Sequence, residues 1–383
     1  GLSAIARVLL ESGYTVSGSD QLLSDLAQDV QEAGAEVFVG HNAENVRGAE
    51  LVIRSSAVPD DNPEVIAARK ADIPVLKRAD YLGRLMEDRL GIAIAGSHGK
   101  TTTTAMLAWV LTVLGLDPSF IVGGMVTNLG TNARAGQGKP FVIEADEYDY
   151  MFLGLKPQIA VVTNVEHDHP DIFPTAESFA RAFQDFVRIL PPDGLLLACG
   201  DDPGAVEIQA DALADGIHAL SYGIESTSYA YHAQSLTSND QGGFSFEAYK
   251  HGKRLSQVSL QVPGEHNVQN ALAVLAVIDQ LDASIEKASQ ALGEFLGAGR
   301  RFQVLGEVAG VIVVDDYAHH PTEIRATLAA ARARYANRHV WAIWQPHTYT
   351  RTKLLFDEFA SAFDDADTVL VTDVYRSREP LDA

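Results

Sequence analysis

Short apolar runs recur along the chain and alternate with segments whose hydrophobic positions have helical spacing. In the first 88 residues, Gly1–Leu10 carries apolar residues at helical intervals. β-rich runs follow at 14–18 (ending at Ser19-Asp20), Glu36–Val39 and Leu51–Ile53. Strands alternating with helices predict a parallel sheet with covered faces. A second segment, 89–297, opens on Gly91–Ala95 and has β-type runs at Phe141–Ile143, Ile159–Val162 and Gly194–Leu197. The uncharged run Thr101–Leu116 predicts a buried helix, being shorter than the ~20 apolar residues of a membrane span. Around 221–262 a more polar, alternating pattern predicts antiparallel strands added to an α/β core. In the third segment, 298–383, strands are predicted at Val311–Val314, His339–Ile343 and Thr368–Val371. The helix between the first two places Ile324, Leu328 and Ala331 on one face. A first strand with a Gly-rich turn is expected before Gly1, and more of the third unit after Ala383. The lack of a leader before Gly1 is therefore uninformative.

The 383 residues are enough for two or three domains. Acidic residues outnumber basic ones 51 to 29, a formal charge of -22, which disfavours nucleic acid and anionic lipid as partners. Cys199 is the single cysteine, so neither an intramolecular disulfide nor a multi-cysteine zinc site exists. The expected compartment is reducing and cytoplasmic.

Chemistry concentrates where strands end. Gly96-Ser97-His98-Gly99-Lys100-Thr101-Thr102 follows an apolar strand and precedes an apolar helix. Glycines there let backbone N–H groups turn around phosphate oxygens, with the helix N-terminus behind them. Lys100 would neutralise the β and γ phosphates, and the Thr101 hydroxyl would ligate Mg²⁺. The match is to the short G-x-x-G-K-T form, since Ile94 stands where the longer pattern has its first glycine. A bound Mg²⁺ needs a carboxylate on a neighbouring strand end, and Glu144-Ala145-Asp146-Glu147 follows such a strand. A further strand runs into Glu166-His167-Asp168-His169-Pro170-Asp171. His167 and His169 there are open to three readings: a second metal position, a zinc site or solvated loop histidines. Asp20 ends an early strand where a dinucleotide fold would grip a ribose.

These strand ends, in this order, resemble the Mur ligases, the ATP-dependent amide-forming enzymes of peptidoglycan assembly. Pro263-Gly264-Glu265-His266-Asn267-Val268-Gln269-Asn270-Ala271 looks like the family's adenine-side motif. Gly299-Arg300-Arg301-Phe302, the run from Asp315 to Glu323, and Gln345-Pro346-His347 look like its third-domain motifs. With Ser55-Ser56-Ala57-Val58-Pro59, the set most resembles the members that add L-alanine. The resemblance implies a three-domain α/β architecture. A Rossmann-like domain (1–88) would hold the UDP-sugar, a P-loop central domain (89–297) ATP, and a C-terminal α/β domain (298–383) the amino acid and part of ATP. It implies peptidoglycan-precursor synthesis in which L-alanine is joined to the carboxylate of UDP-N-acetylmuramate through an acyl phosphate, with ATP and Mg²⁺ (or Mn²⁺), in a monomer or homodimer.

Carried over motif by motif, Lys100 would contact the transferring phosphate, Thr101 and Glu144 would hold one metal ion and His169 a second. His266, Asn267 and Asn270 would line the adenine pocket, Arg301 would face the nucleotide and Asp316 would hold its ribose. Tyr317, His319 and Arg351 would form the alanine end. Asp20, His41, Ser55 and Ser56 would meet the UDP portion, and Asn132 and Arg134 the sugar or its diphosphate. Where the family pattern has an arginine after Gln-Pro-His, this chain has Thr348, which leaves either Arg351 alone to recognise the amino-acid carboxylate or a different amino acid as the acceptor. The alternatives are the related ligase that attaches a whole tripeptide, a nucleotide-binding homologue without turnover, and a nicotinamide dehydrogenase, whose Gly-rich fingerprint is not visible.

Overall fold

The computed structural model describes residues 1–377 and 379; the last positions of the expected third domain, 378 and 380–383, lie outside them. The first unit contains α1 (Leu2–Glu11), β1 (Ser17–Asp20), α2 (Asp25–Glu32), β2 (Glu36–Val39), β3 (Val52–Arg54), α3 (Pro63–Lys70), β4 (Val75–Lys77) and α4 (Arg78–Leu85). Its strands pair in parallel as expected, but as two separate ribbons, β1 with β2 and β3 with β4. No described strand lies between the ribbons to hydrogen-bond both, so the single covered sheet expected here is not formed among the described residues. β1 also begins at Ser17, because Tyr14 turns out to solvent, 63 % exposed.

The central unit is built on one ten-stranded sheet. It runs through β5 (Leu90–Ala95), α5 (Lys100–Val113), β6 (Ser119–Val126), β7 (Thr131–Arg134), β8 (Pro140–Glu144), β9 (Ile159–Val162), α6 (Ala176–Arg188), β10 (Leu195–Cys199) and α7 (Pro203–Ala214). β11 (His218–Gly223), β12 (Tyr231–Ser238), β13 (Phe244–Lys250), β14 (Lys253–Ser259), α8 (Glu265–Gln280) and α9 (Ile285–Gly293) complete it. The strand order is β14-β13-β12-β11-β10-β9-β5-β8-β6-β7. The polar stretch forms antiparallel β12, β13 and β14 at one edge, as its alternation predicts. β5, β8 and β9 are almost wholly buried apolar strands, as parallel strands covered on both faces must be. The uncharged run becomes α5, buried over most of its length against α8 and α9. Among the described residues, no helix is long and apolar enough to cross a membrane.

The third unit comprises β15 (Gln303–Val308), β16 (Val311–Asp315), α10 (Pro321–Arg334), β17 (Trp341–Trp344), α11 (Tyr349–Leu354), α12 (Phe356–Ala360) and β18 (Thr368–Val371). Ile324 and Leu328 of α10 pack with Phe359 and Ala362 in a small separate core. The sequence pattern missed β15: all six of its positions are exposed, so it carries no inward-facing alternation. β17 starts at Trp341 rather than His339, whose ring is instead 2.9 Å from Thr368 Oγ1.

Candidate active site

β5 lies between β8 and β9, with Ile94 paired to Glu144 and Ala95 to Val162. The three strand ends singled out from sequence are therefore neighbours at one edge of the sheet. The chain leaves β5 at Ala95 and enters α5 at Lys100 through Gly96 (φ 139°) and Gly99 (φ 81°), conformations that favour glycine. A Cβ on Gly96 would stand 1.9 Å from Thr163 Oγ1. The loop is tied to the end of β9: the His98 N–H donates to Asn164 Oδ1 at 2.8 Å, and Ser97 Oγ donates to the Glu166 carbonyl at 2.7 Å.

Lys100 Nζ donates to Glu147 Oε1 at 3.0 Å and to the Ser97 carbonyl at 3.1 Å, and also meets the Gly96 carbonyl. Burial works against both charges, yet Glu147, Asp146 and Glu144 raise the ammonium above its ordinary value, while Lys100 and His169 keep Glu147 ionised. His169 Nε2 is 3.5 Å from Glu147 Oε1, so Glu147 links the two residues. Thr101 Oγ1 donates to Glu144 Oε1 at 3.0 Å, and the Gly123 N–H donates to Oε2 at 2.7 Å. Burial pushes the Glu144 and Asp146 carboxyls up, the mark of negative charge lacking enough counter-charge. Hard oxygen donors around such a deficit suit a divalent cation of the Mg²⁺ type, so Thr101 and Glu144 fit the first expected metal, while His169, a nitrogen donor beside Glu147 and Asp168, stands apart at the position expected for a second.

A cavity of about 220 Å³ opens beside the cradle between the central and third units. Its walls include His98, Gly99 and Thr102 of the cradle, His266, Asn267 and Asn270 of α8, and Arg301 and Asp316 of the third unit. Asn270 accepts from Thr103 Oγ1 (3.0 Å) and donates to Asn267 Oδ1 (3.1 Å), which fixes the wall. His266 is open to the cavity but enclosed by protein; that enclosure and Arg301 push its imidazole down to about 4. Asp316 accepts the Phe302 and Ala318 N–H groups, both at 2.7 Å, so its carboxylate is oriented, while burial raises its pKa.

Elsewhere at the junction of the central and third units, Arg351 is 4 % exposed and donates through Nε to Asp168 Oδ1 at 2.9 Å, with Nη1 3.1 Å from His347 Nδ1. The His319 and His347 rings are 5.9 Å apart. Arg300 and Arg301 both lie over the Tyr317 ring, at 4.7 and 5.7 Å. Thr348, at φ 69°, precedes α11 and donates its N–H to the Tyr375 carbonyl.

Asp20, His41, Ser55 and Ser56 gather at the carboxyl ends of β1, β2 and β3, the ligand-facing end of parallel strands. Beside Asp20, Ser19 lies 3.0 Å from His41 Nδ1 and donates to Glu64 Oε2 at 2.7 Å, whereas Ser55 and Ser56 follow β3 of the other ribbon. Arg134 is placed away from all of these. Its guanidinium reaches Asp117 (3.1 Å) and Thr112 (3.4 Å) at the far end of α5 and lies over Phe120, because β7 runs from Thr131 away from the cradle. Asn132 shares that strand. His167 also turns away: its Nε2 is 2.7 Å from the Phe173 carbonyl, and its ring packs near Phe179. Four acidic residues with no role assigned from sequence stand inside the site: Glu147, Glu166, Asp168 and Glu323. The first three lie in the acidic runs beside Glu144 and His169, and that adjacency was the available signal.

Three family models divide the chain: the Mur ligase family catalytic domain over 1–90, the Mur ligase middle domain over 94–278 and the Mur ligase glutamate ligase domain over 300–382. The UDP-N-acetylmuramate–L-alanine ligase of Geotalea daltonii is 48% identical over 384 residues, 99% of this chain and 81% of that protein. That of Syntrophus aciditrophicus is 45% identical over 383 residues, 100% of this chain and 78% of that protein. Among solved structures, the UDP-N-acetylmuramate–alanine ligase of Thermotoga maritima superposes with a TM-score of 0.82 at 32% identity, covering 98% of this chain and 83% of that one. A murein peptide ligase from Psychrobacter arcticus gives 0.76 at 28% identity, covering 97% and 82%. Over its whole length, in sequence and in architecture, the chain belongs to the Mur ligase family.

Proposed function

We propose that the protein is an ATP-dependent ligase that joins L-alanine to the carboxylate of UDP-N-acetylmuramate, in peptidoglycan precursor synthesis. The observation that carries this reading is a cavity in which cradle residues His98, Gly99 and Thr102 face Arg301 and Asp316 of the third unit, while Lys100 is linked to Arg351 of that unit through Glu147, His169 and Asp168. Relatives 45–48% identical over nearly the whole chain carry the name of that ligase, which favours alanine over a tripeptide as the acceptor.

The three units divide the work. Asp20, His41, Ser55 and Ser56 of residues 1–88 take the UDP portion. The cradle and α8 in residues 89–297 take ATP, with Arg301 and Asp316 closing over it from residues 298–383. Thr101 and Glu144 would hold one Mg²⁺ and His169 a second, whose charge would neutralise that of the phosphates. A sugar carboxylate oxygen attacks the γ-phosphorus as its bond to the ADP oxygen breaks, giving an acyl phosphate. Lys100 offsets charge on the transferring group, the kind of preorganised electrostatics on which phosphoryl transfer depends. The alanine amine, having lost a proton, adds to the acyl carbon and inorganic phosphate leaves. Arg351, held rigid by Asp168, presents a guanidinium edge to the amino-acid carboxylate.

Mass analysis of the UDP-sugar product tests the reading. A gain of one alanyl residue with L-alanine supplied supports it; a product only with L-alanyl-D-glutamyl-meso-diaminopimelate would assign the chain to the tripeptide-adding branch.

A further inference from the structure

His98 is unusual among the cradle residues in that its side chain leaves the central unit. The ring Nε2 is 3.1 Å from Glu166 Oε2 of the same unit, and Nδ1 is 3.3 Å from Glu323 Oε1 on α10 of the third. A ring that serves a carboxylate at each nitrogen must donate from both, so it is an imidazolium. Thr322 Oγ1, also on α10, donates to Glu166 Oε1 at 2.7 Å. Two bonds thus cross the domain boundary, and His98–Glu166 joins them on the cradle side. Glu323 is fixed in turn: it accepts the His319 N–H at 3.0 Å and the His320 N–H at 3.4 Å, and it meets Arg301 at 3.3 Å. Meanwhile the His98 backbone is pinned, donating to Asn164 and accepting from Thr163 Oγ1 at 2.5 Å. Movement of α10 therefore bears on a cradle residue through rigid, charged links rather than through solvent.

We infer that His98 is a positioning residue that fastens the third unit to the phosphate cradle through Glu166 and Glu323, setting the position of Arg351 and His319 at the amino-acid end and of Asp316 at the ribose relative to the cradle. The inference rests on the ligase reading of the site. Its consequence is read apart from nucleotide binding by comparing turnover at saturating ATP, because His98 and Glu323 also line the cavity and changing them can alter ATP affinity directly. A neutral amide at position 98 cannot satisfy both carboxylates as a cation, and a neutral amide at position 323 still accepts the two α10 N–H groups while removing its charge.

The test is a double-mutant cycle of His98→Gln and Glu323→Gln. ATP affinity is read by calorimetry, and turnover as L-alanine-dependent phosphate release. The expected result is turnover at saturating ATP reduced at least about tenfold in each single variant, a larger change than that in ATP affinity. The double variant should be no slower than the worse single, since both changes remove one link. Additive losses, parent-like turnover, or ATP affinity falling in step with turnover would overturn the proposal. If His98→Gln does not fold, Glu166→Gln with Glu323→Gln removes the same links from the carboxylate side and is read by the same criteria. If the parent protein releases no phosphate with both substrates, it is the ligase reading that fails, and interdomain coupling is then read from α10 amide hydrogen exchange with and without ATP. Slowed exchange in the parent, lost in the variants, supports the fastening; equal exchange in all of them contradicts it.

Discussion

Arg351 of the third unit and Asp168 of the central unit form an ion pair at 2.9 Å, each side chain only 4% exposed. Although burial alone would raise the Asp168 carboxyl, His169 and Arg351 hold it well below the usual carboxylate range. Removing one partner of such a pair leaves a buried uncompensated charge, at a cost of about 3–5 kcal/mol. Asp168→Ala is therefore expected to raise KM for L-alanine at least about tenfold and to weaken docking of the third unit, whereas Asp168→Asn, which keeps an acceptor for Arg351, should lose less. Steady-state kinetics with varied L-alanine checks both.

The carboxylate of Glu144 can be displaced without touching it. A Cβ on Gly123 would lie 2.6 Å from Glu144 Oε2 and 2.7 Å from Oε1, so Gly123→Ala must push that carboxylate from Thr101. The expected outcome is a folded protein whose half-maximal activity needs about tenfold more Mg²⁺, found by titrating the cation at fixed ATP.

Charge at His98 sets a pH window. Burial disfavours the imidazolium, but bonds to Glu166 and Glu323 raise it to about 9. His320, its ring 4.8 Å away and itself pushed down to about 4, and Arg301 beyond Glu323 also face the group. A folded value above the ordinary 6.5 means stabilisation is full below about pH 6.5 and is lost as pH rises through about 9. Glu166 acts in the opposite sense: burial opposes its charge, yet His98 and Thr322 hold it at about 2, so its contribution is present above about pH 4.5 and lost toward 2. The difference in melting temperature between the parent and His98→Gln should be constant near pH 6 and shrink above about pH 8. A difference unchanged to about pH 10 would contradict it.

Arg134 tests the far end of α5. Its bonds to Asp117 and Thr112, and its place over Phe120, tie β7 to the sheet. Arg134→Met is expected to lower stability by about 1 kcal/mol or less, the range for partly exposed ion pairs, with KM for the UDP-sugar unchanged. A raised KM would return this residue to the substrate.

The legible parts of the site share one property: each is a local pattern. Lys100, Glu144 and His169 each follow an apolar run, and a strand that ends in polar residues can be read without knowing its neighbours. The parallel order of β5, β8 and β9 then brings the three together. The Arg351–Asp168 pair spans 183 positions and the Thr322–Glu166 bond 156, and nothing near any of these residues marks the partner. Arg134 shows the converse: a basic residue in a glycine-flanked polar run reads as an anion contact, while strand direction carries it to the other end of the helix. The first unit's ribbons were legible as strands because Glu36–Val39 and Val52–Arg54 are β-rich, while their failure to join in one sheet depends on what lies between them in space.

Initial rates of phosphate release from Mg-ATP, with UDP-N-acetylmuramate and L-alanine each present or omitted, test the central claim most directly. Sustained release is expected only when both are present, and is lost in Lys100→Met. Release independent of L-alanine, or none despite measurable ATP binding, would contradict it.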